Sequence, residues 1–138
     1  MVIADTGFWV GLFNKKDANH TKASSAMSSL TEPLVTTVPV ITETTYLLLQ
    51  RVNIQKAIEF LKYGQEGAFA IFELNHSHFP RITELMTAYS NLPMDLADAS
   101  LVVLAEHLGH GRILSTDKRD FHSYRWKNRH PFENLLHL

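Results

Sequence analysis

The stretch ILSTDKRDF, residues 113–121, is a short apolar run that ends in hydroxyl-bearing and acidic residues. Its apolar half predicts a buried strand, the fourth of the chain, over residues 112–116. Asp117 follows this strand at once, and the cations Lys118 and Arg119 come next. An acid in this position either caps a helix or lies at the edge of a sheet to bind a metal ion, beside cations that can contact phosphate. The other acids of the chain decide between the two interpretations.

The composition is that of a globular protein. The chain has 138 residues, of which 45% are hydrophobic and 20% charged, and a net charge of −1 at pH 7. This length predicts a single domain over residues 1–138, and the low net charge means that any nucleic-acid binding rests on a local patch. The absence of cysteine excludes disulfides, thiolate zinc sites and cysteine nucleophiles. Because no apolar run approaches a membrane span and no signal peptide is recognisable, we expect a soluble, cytoplasmic protein that does not bind membranes.

Strands and helices are predicted to alternate. Apolar runs predict three strands ahead of the fourth and a weak fifth after it: residues 1–5, 34–37 and 69–74, and then Leu135–Leu136. Segments with helical periodicity separate these runs, and the last long helix has Asp95 as its expected N-cap and Gly109 as its expected end. Strands that alternate with helices need crossover connections, so the pattern predicts an α/β protein with a short, mostly parallel sheet.

Acidic residues fall where the predicted strands end. Asp5 follows the first strand, Asp117 follows the fourth, and Glu43 lies in the helix after the second. Asp98 lies in the first turn of the helix that leads into the fourth strand. Because ligands of open parallel sheets bind beyond the carboxyl ends of the strands, we expect these acids in one cleft. Crowded carboxylates need a cation such as Mg²⁺ or Mn²⁺, and the chemistry that uses such a site is phosphodiester hydrolysis with one or two ions.

Each acid also has a purely structural interpretation. Asp95 and Asp98 are three residues apart, the spacing of N-cap and N3 positions, and we prefer the capping role for Asp95. Asp117 alone would be interpreted as a helix cap, and Glu43 as an ordinary first-turn acid. Asp5 is hardest to explain in this way, because it directly follows an apolar strand. The convergence of all four candidate ligands on one predicted edge is what favours a metal site.

Hydroxyl, basic and aromatic residues accompany the acids. Thr6 and Thr116 each stand next to an acid and are candidates for orienting a water or a carboxylate. Six of the 13 lysine and arginine residues lie between residues 112 and 129. Cations bind phosphate and aromatic rings stack on unpaired bases, so this segment holds candidate nucleic-acid contacts. These candidates are Lys118, Arg119, Tyr124, Arg125 and Trp126, and the alternative is a solvated C-terminal face.

Four segments together resemble PIN-domain ribonucleases, in particular the VapC-like toxins of toxin–antitoxin pairs. They are VIADTGFWVGLFNKKDANH, VITETTYLLL, LPMDLADASLVVLAEHLG and ILSTDKRDF, which follow the family order over nearly the whole chain. The resemblance implies a PIN-like three-layer sandwich, in which helices flank a short, mostly parallel central sheet of about five strands. The family's acids match positions that we therefore expect to be catalytic and metal-binding: Asp5, Glu43, Asp98 and Asp117. Asp95 matches a further acid common in this subgroup, and Thr6 and Thr116 match its hydroxyl residues.

The resemblance also implies a function. It predicts an Mg²⁺- or Mn²⁺-dependent endoribonuclease that hydrolyses RNA phosphodiester bonds as the toxin of a type II toxin–antitoxin system. It further implies an antitoxin protein whose tail enters the acidic cleft, and a homodimer. The alternatives are a non-catalytic RNA- or protein-binding module on the same fold, or an RNA-processing nuclease outside such a pair. An enzyme that forms an aspartyl phosphate is disfavoured, because no second acid lies two residues after Asp5.

Overall fold

Strands and helices alternate along residues 1–117 and 119–136, the part of the chain that the computed structural model describes. The strands are β1 (Val2–Ala4), β2 (Leu34–Thr37), β3 (Phe69–Phe72), β4 (Arg112–Leu114), β5 (Arg125–Trp126), β6 (His130–Pro131) and β7 (Glu133–Asn134). The helices are α1 (Thr6–Phe13), α2 (His20–Ser29), α3 (Val38–Arg51), α4 (Ile54–Gln65), α5 (Phe79–Ala88), α6 (Leu96–Leu108) and α7 (Asp120–Ser123). A short 3-10 turn at His76–His78 precedes α5.

The central sheet is parallel and has the strand order β3–β2–β1–β4–β7. Its middle strand, β1, is buried at every position, as expected for a parallel strand that is covered on both faces. Helices flank the sheet, so the predicted α/β three-layer arrangement with a central sheet of about five strands is confirmed. In the described residues, no helix is both long and apolar enough to cross a membrane.

The fifth strand lies two residues earlier than predicted. It is Glu133–Asn134, whereas the apolar pattern had indicated Leu135–Leu136, and β4 ends at Leu114 rather than at residue 116. The Asn134 side chain explains both differences, because its Oδ1 accepts from the Ser115 backbone N–H (3.1 Å) and its Nδ2 donates to the Ser115 carbonyl (2.9 Å). The Leu135 backbone N–H still donates to the Ile113 carbonyl at 2.7 Å, and the Asn134 side chain makes the next bonds to the β4 side in place of the backbone, while Leu136 is buried in the core.

Helix α6 begins and ends as its sequence predicts. The side chain of Asp95 accepts a hydrogen bond from the backbone N–H of Asp98 at 2.9 Å, which confirms the N-cap. Gly109 ends the helix with a φ of 77°, a left-handed conformation that glycine adopts without a steric penalty. Because α6 is buried along most of its length, its first turn, which carries Asp98, is held firmly beside the ends of the strands.

Helix α1 is anchored by an aromatic cluster. Trp9 is fully buried and lies 4.9 Å from the Phe69 ring and 5.5 Å from the Phe60 ring, measured between ring centroids. Aromatic pairs at such distances add to the stabilisation from buried area. The cluster therefore fixes the helix whose first residue follows Asp5.

The basic C-terminal segment forms a hairpin that the sequence had not indicated. Strands β5 and β6 pair in antiparallel fashion across a turn in which Lys127 and Asn128 have φ values of 51° and 62°. The turn is held by α5 and α6, since the Lys127 backbone N–H donates to Glu106 (2.6 Å) and Arg81 donates to Asn128 (2.9 Å). Arg81 also forms an ion pair with Glu106 at 2.7 Å. Much of this segment therefore has a structural role.

Candidate active site

An acidic cleft with a volume of about 480 Å³ opens at the carboxyl ends of the parallel strands. Residues from the β1–α1 junction, α3, α6 and the segment after β4 line it. The carboxylates among them are Asp5, Asp17, Glu43, Asp95, Asp98, Asp117 and Asp120. The structure thus brings together the four acids that the sequence singled out and Asp95, although their catalytic role stays a prediction.

Asp5 is buried and oriented at the centre of this cleft. It is 7% exposed; its Oδ1 accepts from the Thr6 backbone N–H at 2.7 Å and its Oδ2 accepts from the Ser115 hydroxyl at 2.9 Å. Burial raises the pKa of Asp5 to about 6, and the negative charges of Glu43 and Asp117 act in the same direction. The carboxyl group is thus held in place by hydrogen bonds, and among residues 1–117 and 119–136 no cation forms an ion pair with it.

Ser115 is a site residue that the sequence analysis missed. Its hydroxyl donates to Asp5 and accepts from the backbone N–H of Asp117 at 3.0 Å, so that it connects the acids that follow β1 and β4. The sequence pattern indicates the neighbouring Thr116 instead. The two-residue period of an extended chain could have found Ser115, because residues 115 and 117 lie on the same side of such a chain.

Asp117 both lines the cleft and bonds to the start of the following helix, and its role as a metal ligand stays a prediction. Its side chain lines the cleft. Its Oδ1 also accepts from the backbone N–H groups of Arg119 (3.0 Å) and Asp120 (2.9 Å) at the start of α7. The same carboxylate therefore orders the following helix and faces the other acids.

Asp98 is held by a residue far away in the sequence. Its Oδ2 accepts a hydrogen bond of 3.1 Å from the hydroxyl of Tyr124. The pKa of Asp98 is raised to about 8, chiefly by burial and also by the nearby charges of Asp95 and Asp5, while the Tyr124 hydrogen bond opposes the change. At neutral pH this carboxyl group therefore favours a proton or another positive partner.

Glu43 and Asp95 complete the acidic lining from the helices. Glu43 lies half-buried on α3, and its charge is one of the causes of the raised pKa of Asp5. Asp95 is exposed, and its capping bond to α6 leaves it at the rim. Both side chains also border a neighbouring apolar cavity of about 570 Å³ beside Val38 and Tyr46.

The two predicted hydroxyl residues lie in the cleft lining but do not orient an acid. Thr6 is buried, and Thr116 lies so close to α1 that a Cβ at Gly7 would come within 1.8 Å of its Oγ1. This close approach explains the glycine. Within residues 1–117 and 119–136, neither threonine hydroxyl hydrogen-bonds to a carboxylate, and Ser115 makes such a bond instead; the alternative that the threonines orient a water stays a prediction.

Two arginines border the cleft. Arg119, a predicted RNA contact, has a side chain that is 88% exposed, and its Nε lies 3.8 Å from Asp120. Arg51, at the end of α3, was not predicted, because it is distant in sequence from the basic C-terminal segment. Both are available to contact phosphate at the rim.

The other predicted RNA contacts have different roles. Tyr124 is fully buried, so its ring cannot stack on a base, and this prediction was wrong for a geometric reason. Arg125 donates to the carbonyls of His122, Ser123 and Tyr124 at the end of α7 and is engaged there. Trp126 is part of the hairpin, where its indole N–H donates to Pro131. Lys118 lies outside the described residues.

The chemistry of the cleft fits a hard divalent cation. Carboxylate oxygens are the ligands that Mg²⁺ and Mn²⁺ prefer, and the raised pKa values of Asp5 and Asp98 indicate crowded acids that favour a positive partner. In the part of the chain that the structure describes, no three histidine, aspartate or glutamate side chains are already arranged to hold a metal ion. Binding of an ion by three of these acids therefore requires some of their side chains to move from the positions in this structure.

Fold and cleft together define a class of protein: a parallel α/β domain with an acid-lined site at the carboxyl ends of its strands. Within this class the chain belongs to the PIN domain family, whose model matches residues 2–127. The predicted resemblance is thereby confirmed.

Similar proteins are found in Mycobacterium tuberculosis. Ribonuclease VapC26 is 27% identical over 124 residues, which are 90% of this chain and 92% of that protein. The crystal structure of VapC20, a Sarcin-Ricin loop cleaving toxin, matches with a TM-score of 0.80 and 19% identity over 86% of this chain and 92% of that chain. At this identity the second similarity shows the fold alone, and it confirms the predicted PIN-like architecture.

Proposed function

We propose that this protein is an Mg²⁺- or Mn²⁺-dependent endoribonuclease that acts as the toxin of a type II toxin–antitoxin pair. The observation that supports the proposal most directly is the convergence of Asp5, Glu43, Asp98 and Asp117 on one cleft. Membership of the PIN domain family and the similarity to Ribonuclease VapC26 support the ribonuclease activity. The raised pKa values of the buried Asp5 and the half-buried Asp98 support a cation in the cleft.

The carboxylates have distinct tasks in this proposal. Asp5, Glu43, Asp98 and Asp117 would hold one or two divalent ions, with Asp95 at the rim. When bound, such an ion supplies water activation and stabilises the leaving oxygen of the phosphodiester. Ser115 keeps two of the carboxylates in place through its bonds to Asp5 and the Asp117 backbone. The chemistry requires no side-chain nucleophile, and the protein contains no cysteine that could provide a thiol.

RNA binding would rest on the rim of the cleft. Arg51 and Arg119 border the acids and can contact the phosphates on either side of the cleaved bond. Charge contacts of this kind give affinity without reading the base sequence. The choice of RNA would therefore depend on surfaces outside the acidic centre.

The proposed partners are an antitoxin protein and a second copy of the chain, both in the cytoplasm. The helix pair α3–α4 exposes several large apolar side chains that a partner could cover: Tyr46, Leu49, Ile54, Ile58 and Leu61. Exposed apolar side chains in one region are typical of protein interaction sites. A neighbouring reading frame that encodes a small DNA-binding protein with a C-terminal tail would support the antitoxin.

The test is cleavage of defined RNAs by the purified protein. Transfer RNA, a ribosomal RNA hairpin and an unstructured messenger RNA are incubated with Mg²⁺, with Mn²⁺ or with EDTA. We expect internal cleavage with either ion and none with EDTA. Asp5→Asn should lose cleavage but keep RNA binding, which gel-shift measurement can follow.

Three other results would contradict the proposal in different ways. Binding of RNA without cleavage under any metal condition would favour a non-catalytic module. Cleavage that survives Asp5→Asn unchanged would show that the acidic cleft is not the catalytic site. Cleavage by a chain whose genomic neighbourhood encodes no antitoxin would favour an RNA-processing nuclease.

A further inference from the structure

We propose that Tyr124 is a positioning residue whose buried hydroxyl holds Asp98, and that α7 connects this hydroxyl to Asp117 at the opposite end of the helix. The inference rests on the proposed function in one respect, namely that Asp98 and Asp117 are ligands of the divalent ion. It assigns to the C-terminal segment a role in shaping the metal site.

The contact between Tyr124 and Asp98 is a partly buried hydrogen bond. The phenol oxygen lies 3.1 Å from Asp98 Oδ2, and the tyrosine is fully buried. Its ring packs edge-on against Phe121 at 5.1 Å and Tyr89 at 5.0 Å. A ring held on both sides cannot turn its hydroxyl away at low cost, so one oxygen of Asp98 stays directed.

Helix α7 is the physical connection between two of the acids. Asp117 accepts the backbone N–H groups at the beginning of the helix, and the Tyr124 backbone N–H donates to the Asp120 carbonyl at its end (2.8 Å). The Arg125 guanidinium then binds the last carbonyl groups of this turn. A short helix that is bonded at both ends behaves as a rigid spacer, so the positions of Asp98 and Asp117 depend on each other.

Tyr89 supplies a matched comparison within the same aromatic cluster. Its hydroxyl accepts a hydrogen bond from the Arg125 backbone N–H at 3.0 Å and, among the described residues, makes no hydrogen bond to an acid of the cleft. Loss of either hydroxyl removes one hydrogen bond next to the same rings. Only loss of the Tyr124 hydroxyl removes a bond to a proposed metal ligand.

The experiment compares Tyr124→Phe with Tyr89→Phe. Binding of Mn²⁺ to the full chain is measured by electron paramagnetic resonance, RNA cleavage is measured in parallel, and thermal melting monitors folding. We expect Tyr124→Phe to weaken Mn²⁺ binding by about 10- to 100-fold, the usual effect of losing a partner that orients a ligand. Tyr89→Phe should change binding less than about twofold by the same reasoning. In an Asp98→Asn background, Tyr124→Phe should have no further effect, because the hydroxyl acts through Asp98.

Equal Mn²⁺ affinities for the two phenylalanine variants would overturn the inference, as would an undiminished effect of Tyr124→Phe in the Asp98→Asn background. If the unaltered chain binds Mn²⁺ and Tyr124→Phe weakens it while no RNA is cleaved, the positioning role stands and the proposed nuclease function fails. If the unaltered chain binds no Mn²⁺, both fail.

A measurement on the unaltered chain decides the case in which Tyr124→Phe does not fold. The four tyrosines are labelled at the phenol carbon and followed by NMR during a Mg²⁺ titration. Loading of Asp98 must shift the Tyr124 signal more than the Tyr89 signal. No shift at Tyr124 on saturation would overturn the inference.

Discussion

The acids that follow strands and the acids carried by helices are held in the cleft by different means. Asp5 and Asp117 end neighbouring parallel strands, and the single hydroxyl of Ser115 connects them. Asp98 lies on α6, and its partner Tyr124 comes from another part of the chain. The first pair is therefore organised by local strand geometry, whereas the helix-borne acid depends on a tertiary contact. A shared cation would have to unite acids that are held by different contacts, which α7 connects through Asp117 at its beginning and Tyr124 at its end.

The largest expected effect is the loss of cleavage when one acid of either set is neutralised. Asp5→Asn and Asp98→Asn should each lower kcat for RNA cleavage by about 10³-fold, because each removes a ligand of an ion that contributes several kcal/mol to transition-state stabilisation. The control is Glu66→Gln, which changes an exposed acid directly after the end of α4. A loss confined to one of the two sets would show that the other does not take part in the chemistry.

The next largest effect is expected at Ser115, which holds Asp5 and Asp117, the two acids that follow strands. Ser115→Ala removes the hydroxyl that bonds to Asp5 and to the Asp117 backbone, and we expect cleavage to fall by about 10- to 100-fold. Ser28→Ala removes an exposed hydroxyl on α2 that bonds only to the Ser24 carbonyl and serves as the control. If both variants cleave RNA at the same rate, the strand-borne pair does not need Ser115.

In the metal-free protein, the pH dependence of folding stability distinguishes Asp5 at a strand end from Asp98 on a helix, because their pKa values differ. Asp5 and Asp98 have folded-state pKa values of about 6 and about 8, above the ordinary value of 3.8. Their contribution to folding stability is therefore fully present below pH 3.8 and is lost as pH rises, through about 6 for Asp5 and about 8 for Asp98.

The matching measurement is denaturant unfolding of the metal-free protein between pH 4 and pH 8. Relative to the unaltered chain, Asp98→Asn should gain stability up to about pH 8, reaching about 1–2 kcal/mol after allowance for partial solvent exposure. The gain of Asp5→Asn should level off near pH 6. A gain that is independent of pH in both variants would contradict the assigned pKa values.

The smallest effect is expected at the arginines of the rim. Arg51→Ala or Arg119→Ala should raise KM for RNA by about 3- to 10-fold with little change in kcat, and should reduce the salt dependence of binding by about one phosphate contact each. Arg129→Ala, in the hairpin turn region, is the control. If Arg129→Ala raised KM more than Arg51→Ala or Arg119→Ala does, the C-terminal segment and not the rim of the cleft would be the RNA-binding surface.

The sequence predicted the acids better than their supports. Asp5 and Asp117 could be found because a polar residue after a buried strand has few structural reasons to be acidic, and Asp95 and Asp98 because helix caps have fixed spacing. Ser115 was overlooked because its role depends on which residue of β4 leaves the ladder, and that is decided by Asn134. Tyr124 was assigned to RNA because its burial depends on rings that are distant in sequence, which no local pattern reveals.

The predicted strands and helices show the same difference between features set by local sequence and features set by tertiary contacts. Long periodic elements such as α6 were predicted with both ends, because cap residues act locally. The two-residue strands β5, β6 and β7 have no periodicity to detect, and each is held by contacts with other elements. Short elements defined by tertiary contacts are therefore the part of this fold that sequence patterns could not supply.

The most direct test of the account is the Mn²⁺ affinity of the chain and of four variants, measured by isothermal titration calorimetry. These are Asp5→Asn and Asp117→Asn at strand ends, and Glu43→Gln and Asp98→Asn on helices. If both sets share a cation, each variant should weaken Mn²⁺ binding at least about 10-fold, whereas Glu66→Gln should leave it unchanged. Binding at full affinity after neutralisation of either whole set would contradict the claim that strand-borne and helix-borne acids form one metal site.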